Sequence, residues 1–186
     1  MSATVLVTDG EQRSALAVVR SLGRAGHRPV VCASSRRSLA GASRYCAGQA
    51  VVPSALAEPE RFVEAVRQAV RERQVEFVLP LTEAAMLALL PARDTLGAMI
   101  PAAEAGSFRR VSDKSVLFEV AREVGIAVPE QRRVASADSA EWAGAAALGF
   151  PLVLKPARSV AGGVKLSVRH AADERELEAA RADFAA

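Results

Sequence analysis

The chain has 186 residues, 51% of them hydrophobic, which is enough to bury a core in one large domain or two small ones. No apolar run is long enough to span a membrane, and Met1 to Val7 lacks the basic start of a signal peptide, so a soluble cytoplasmic protein is expected. Two cysteines, Cys32 and Cys46, and two distant histidines, His27 and His170, argue against a disulfide framework or a metal site; a net charge of +3, with arginines set among acids and 4% aromatics, argues against a nucleic-acid stripe.

Taken in order, Thr4 to Thr8 reads as a β-branched strand and Asp9-Gly10 as a turn. Glu11 to Ala25 follows as a helix, with Ala15, Val18, Val19 and Leu22 on one stripe, and Gly26 ends it. Pro29 to Ala33 is a second strand, so the opening is a parallel strand–helix–strand unit. Ser34 to Ser43 is a polar loop bearing arginines. A short strand at Ala50–Val52 leads to a helix from Glu58 to Arg73, with Phe62, Val63, Val66 and Val70 inward. Phe77 to Pro80 is a strand, Thr82 caps a helix from Glu83 to Leu90, and Ala98 to Ile100 is a last strand closed by Pro101. Residues 1–101 are therefore expected to form a small, doubly wound α/β domain.

The pattern then changes. Ser112 is placed as the cap of a helix whose apolar face is Val116, Leu117, Val120, Ala121 and Val124, ended by Gly125. Ile126 to Val134 is extended, and Ser139 to Leu148 is expected to be helical. A strand at Phe150–Leu154 leads through Lys155, Pro156 and a small-residue loop to the alternating run Val164–Val168. Asp173 to Asp183 is a charged helix. Residues 102–186 thus look like the start of a second, α+β domain.

Only three of the 24 basic residues are lysines: Lys114, Lys155 and Lys165. Lysine is a compact point charge that suits a phosphate oxygen. Lys114 falls in the first turn of its helix, after Arg109 and Arg110, where a cation opposes the helix dipole. Either an anion comes there, or its stem lies along the surface with Asp113 offsetting the charge. Lys155 leaves a strongly apolar strand, either snorkelling to the surface or pointing into a cleft. Beyond it, Ser159, Gly162 and Gly163 make a loop whose backbone N–H groups can approach a phosphate. The first turn, Thr8 to Ser14, has one glycine and two carboxylates. A dinucleotide fingerprint needs more glycine there. Asp9 and Glu11 either complement the helix dipole or touch a polar substrate, while Arg36-Arg37 would suit the 2′-phosphate of a second candidate ligand, NADP.

Ser112-Asp113-Lys114, Gly125-Ile126-Ala127-Val128-Pro129, Leu148 to Pro156 and the Gly-containing loop occur in an order that resembles the ATP-grasp superfamily. The likeness is to the carboxylate–amine ligases and the carbamoyl-phosphate-synthase-like and biotin-carboxylase-like relatives. Ser43-Arg44-Tyr45-Cys46 leading to Val51-Val52-Pro53 resembles their N-terminal pre-ATP-grasp domain. The resemblance implies a Rossmann-like domain followed by an incomplete ATP-grasp lid. It implies that Lys114, Lys155, Ser159, Gly162 and Gly163 contact ATP phosphates. It also implies that a small carboxylate substrate lies near Asp9, Glu11, Ser14 and Glu83. The implied reaction activates that carboxylate as an acyl phosphate, which an amine or similar nucleophile attacks. Mg²⁺ is implied as well, with its ligands outside this chain; a second chain supplying the rest of the ATP-grasp domain, or a non-catalytic role within a split enzyme, is among the expectations.

Overall fold

The computed structural model describes residues 2–136 and 139–185; Met1 and Ala186, the outer ends of the two expected domains, lie outside them. The chain divides into two compact units, Met1–Arg109 with Gly162–Val164, and Arg110–Ala161 with Lys165–Ala186.

In the first unit, strand β1 (Thr4–Val7) leads to helix α1 (Arg13–Arg24) and strand β2 (Arg28–Ala33). Strand β3 (Gly48–Val51), helix α2 (Pro59–Arg73), strand β4 (Phe77–Leu79) and helix α3 (Glu83–Leu89) follow. The sheet order is β3-β2-β1-β4, with parallel pairing throughout. Alternation along the strands divides the core between two faces. Val5, Val7, Val31 and Ala33 pack with Ala15 and Val19 of α1, whereas Leu6, Val30, Cys32 and Val78 pack with Phe62, Val66 and Val70 of α2 and with Ala85 and Leu89 of α3. The doubly wound α/β arrangement expected from the alternating elements is therefore present. The strand expected at Ala98–Ile100 is reduced to a parallel bridge between Met99 and Phe77, in which Val78 N donates to Met99 O at 2.8 Å and Met99 N to Glu76 O at 2.9 Å.

Helix α4 (Ala105–Ser112) was not anticipated, and it moves the next cap by one residue. Ser112 ends α4. Asp113, with an extended backbone, caps helix α5 (Lys114–Glu123) by accepting from Ser115 N at 3.1 Å. No residue of α5 is fully buried, and Leu117 and Val124, expected on its inner face, are exposed.

In the second unit, the helix expected from Ser139 to Leu148 is instead two short 3-10 turns, Ala140–Gly144 and Ala146–Leu148. Local bonds compete with the helical ladder here. The Glu141 carboxylate accepts from Ala135 N and from Ser139 Oγ, and the Trp142 indole donates to Ser136 O at 2.9 Å.

Strand β5 (Leu152–Leu154) is followed by strands β6 (Val160–Ala161) and β7 (Val164–Lys165), strand β8 (Arg169–Ala171) and helix α6 (Glu174–Ala185). The antiparallel partner of β5 is β8, and not the Val164–Val168 run that follows the loop. That register places Leu152, Leu154 and Ala171 in one small core with Trp142, Ala145 and Leu177. Val164 pairs instead across the tight β6–β7 ribbon. Among the described residues no helix is long and apolar enough to cross a membrane.

One position in the first turn leaves no room for a side chain. A Cβ on Gly10 would lie 2.5 Å from Val31 Cγ1 and 2.9 Å from Ala33 Cβ, both in the core of β2. Gly10→Ala is therefore expected to cost about 1–3 kcal/mol through overpacking. Urea denaturation of the two proteins, with the midpoint as readout, checks this.

Candidate functional site

The first region of interest follows from strand order. The order of strand connection reverses between β1 and β4, and in open parallel sheets ligands bind in the crevice outside the strand ends at such a point. Asp9, Glu11 and Ser14 leave the end of β1, and Glu83 opens α3 just beyond β4. The four residues expected near a substrate therefore follow the ends of two adjacent strands, β1 and β4.

Their side chains are employed differently. Asp9 takes the left-handed conformation, with φ of 57°. Its Oδ1 accepts from Thr82 Oγ1 at 2.9 Å; its Oδ2 accepts from the Thr8 hydroxyl and from Leu81 N at 3.3 Å. Thr82 in turn accepts from Ala85 N at 3.2 Å and caps α3. Asp9 is thus a brace between the exits of β1 and β4. The Glu11 carboxylate accepts from Ser34 N at 2.6 Å and Ser34 Oγ at 2.5 Å, which ties the first turn to the end of β2. Partial burial works to raise its pKa, but these hydrogen bonds outweigh it and hold the group below the usual carboxylate value. Ser14 is exposed in the first turn of α1, and Glu83 is half-buried in the first turn of α3. Cys32 is the nearby thiol, and burial first, with the Asp9 charge adding, pushes it up to about 12. It is not a nucleophile at neutral pH.

The second region is the start of α5 and the loop after β5, around Lys114, Lys155 and Ser159, in the second unit. Lys114 is the first residue of α5; its backbone N donates to Ala157 O at 2.8 Å and its Nζ to Ser159 Oγ at 3.0 Å. Asp113 Oδ2 accepts from Arg158 Nε at 3.1 Å. Three consecutive loop residues, Ala157 to Ser159, are therefore held to the start of α5. Leu166 N donates to Ser159 O at 2.8 Å and closes the loop's other side. Gly162 and Gly163, which fall in the first unit, form the turn between β6 and β7 with φ of 56° and 75°, values that favour glycine. Lys155 stands exposed at the exit of β5, with no hydrogen bond or ion pair to the described residues.

Lys114 and Ser159 are thus joined directly, whereas Lys155 is held by neither. The Asp113–Arg158 pair was not visible in the sequence: the two residues lie 45 positions apart with no shared motif. Burial works to raise the Asp113 pKa, but Arg158 and the backbone N–H groups of Val116 and Ser115 lower it overall. Among the described residues no three His, Cys, Asp or Glu side chains cluster as a metal site.

No protein-family model matches the chain, and no curated protein sequence does. Solved structures do. An L-amino acid ligase from Bacillus licheniformis superposes with a TM-score of 0.70 at 20% identity, over 98% of this chain and 42% of that one. An N5-carboxyaminoimidazole ribonucleotide synthetase, as its ADP complex, gives 0.73 at 16% identity, over 99% and 45%. A biotin carboxylase from Campylobacter jejuni gives 0.66 at 17% identity, over 100% and 42%. The chain therefore has the fold of the N-terminal portion of ATP-grasp ligases and spans less than half the length of these neighbours.

Asp113→Ala removes both a helix cap and the partner of Arg158, and is expected to cost about 1 kcal/mol. The folded carboxylate is lowered, so its contribution is present above the ordinary 3.8 and lost as pH falls through the lower folded value. Thermal melts of both proteins at neutral and acid pH check this: the gap should close in acid.

Proposed function

We propose that this chain is the ATP-binding portion of a cytoplasmic ATP-grasp ligase, one that activates a small carboxylate as an acyl phosphate for attack by an amine or similar nucleophile. The observation that carries the reading is the junction of Lys114 with the Ala157–Ser159 loop, inside a fold shared with such ligases. Lys114 and Lys155 supply positive charge; Ser159, Gly162 and Gly163 supply a hydroxyl and a small-residue turn. That set fits a polyphosphate, whose charge is stabilised by preorganised cations and N–H dipoles during phosphoryl transfer.

The chain's own residues bind and orient. The Asp113–Arg158 ion pair and the Lys114 N–Ala157 O bond hold the loop before ligand arrives, so less ordering is required on binding. Ser14 and Glu83, which follow the ends of β1 and β4, are assigned as substrate contacts, while Asp9 and Glu11 brace the turns beside them. Mg²⁺ supplies charge neutralisation between phosphate oxygens in this chemistry, and its ligands are assigned to residues outside this chain. A second chain carrying the rest of the ATP-grasp domain is one source of them.

Nucleotide titration by calorimetry tests the reading. Lys155→Ala and Lys114→Ala should each weaken ADP binding by about tenfold or more, the scale of a lost charge-assisted hydrogen bond. Arg20→Gln, an exposed charge on α1, should leave it unchanged. Equal affinity in the lysine variants and the parent would overturn the assignment.

A further inference from the structure

A depression of about 450 Å³ lies at the open edge of the first unit's sheet, lined by Arg36, Gln49, Val51 and Arg73. Strand β3 is the outermost strand, paired on one side only, with β2. Arg73 ends α2 beside it, and Arg36 lies in the loop after β2. No carboxylate lines the depression.

The polar groups that line it present donors. Arg36 has no hydrogen-bond or ion-pair partner among the described residues. Arg73 Nη2 makes one long contact, 3.5 Å to Gln49 O, which leaves its other N–H groups available. Gln49 is held in one orientation from behind. The buried Ser38 Oγ accepts from Gly41 N at 3.1 Å and donates to Gln49 Oε1 at 3.0 Å. With Oε1 taken, the free end of the Gln49 amide is its NH₂ group. The packing around this contact is tight: a Cβ on Gly41 would lie 1.9 Å from Gln49 Oε1 and 2.6 Å from Ser38 Oγ. The amide is therefore held by Ser38 and Gly41 of the loop after β2, and is not a surface side chain free to turn.

We infer that this edge depression is a second anion site, built for a phosphate monoester. Two guanidiniums match the charge of a phosphate dianion and offer it bidentate donors, and the Gln49 NH₂ supplies a neutral third donor. Val51, 52% exposed, offers an apolar surface to the ligand's body. A dinucleotide does not fit the arrangement, because the first turn carries the Asp9 and Glu11 carboxylates where a diphosphate would approach.

The site is independent of Lys114 and Lys155, so the test uses the chain with both replaced by alanine. Amide and guanidinium NMR signals are followed on titration with inorganic phosphate and with phenyl phosphate, at constant ionic strength held with chloride. The Gln49 NH₂ and the Arg36 and Arg73 Nε–H signals should shift saturably, with phenyl phosphate also moving the Val51 methyls. Arg36→Gln and Arg73→Gln should each weaken the response about tenfold. Gln49→Glu should abolish it, while Arg20→Gln should not change it. Absence of a saturable shift up to roughly 10 mM phosphate overturns the inference. So does equal binding in Arg36→Gln, whose side chain has no structural partner to lose. Loss of ADP binding with this site intact would count against the proposed function alone.

Discussion

The carboxylate of Asp9 is the point on which the first unit turns. A parallel sheet that reverses its winding leaves a gap where neighbouring strands send their chains to opposite faces. Here the gap lies between β1 and β4, and Asp9 spans it with bonds to Thr82, Leu81 and Thr8. The brace requires Asp9 to adopt a left-handed backbone, which aspartate tolerates better than most side-chain-bearing residues. Gly10 must then pass against Val31 and Ala33 without a side chain. The position of α3, capped by Thr82, follows from the same carboxylate.

The second unit solves a different problem. Its core is small, centred on Trp142, Ala145, Ala171 and Leu177. Its loops therefore depend on polar anchoring more than on burial. The segment around Ala157–Ser159 is held by one backbone bond, one lysine–hydroxyl contact and one ion pair, all at the start of α5. Asp113 has two tasks there. One carboxylate oxygen caps the helix, and the other engages Arg158. A cation in the first turn is thereby tolerated, since Asp113 offsets the dipole that Lys114 opposes.

Much of this was legible in the sequence because it rests on local periodicity. The stripe of α2 announced its buried residues, and alternating strands and helices announced a doubly wound sheet. The scarcity of lysine, together with a helix start and a strand exit, singles out Lys114 and Lys155. Two readings failed where non-local or competing bonds decided the outcome. Ser112 was a plausible cap until α4 absorbed it. The Ser139–Leu148 helix gave way to side-chain bonds from Ser139, Glu141 and Trp142. The partner of β5 was set by which residues could share the Trp142 core, and that selected β8.

By itself the sequence determined the element types, the apolar faces and the residue chemistry available for phosphate, because each depends on spacing within a few positions. Only the tertiary structure decided which of those groups meet. Lys114 reaches Ser159, Asp113 reaches Arg158, and Gln49 is turned by Ser38 so that its NH₂ is the free end. Pairs separated by 45 or 11 positions leave no periodic trace in a single chain. Their meeting depends on strand order and on the packing that fixes each loop, and those are properties of the folded chain alone.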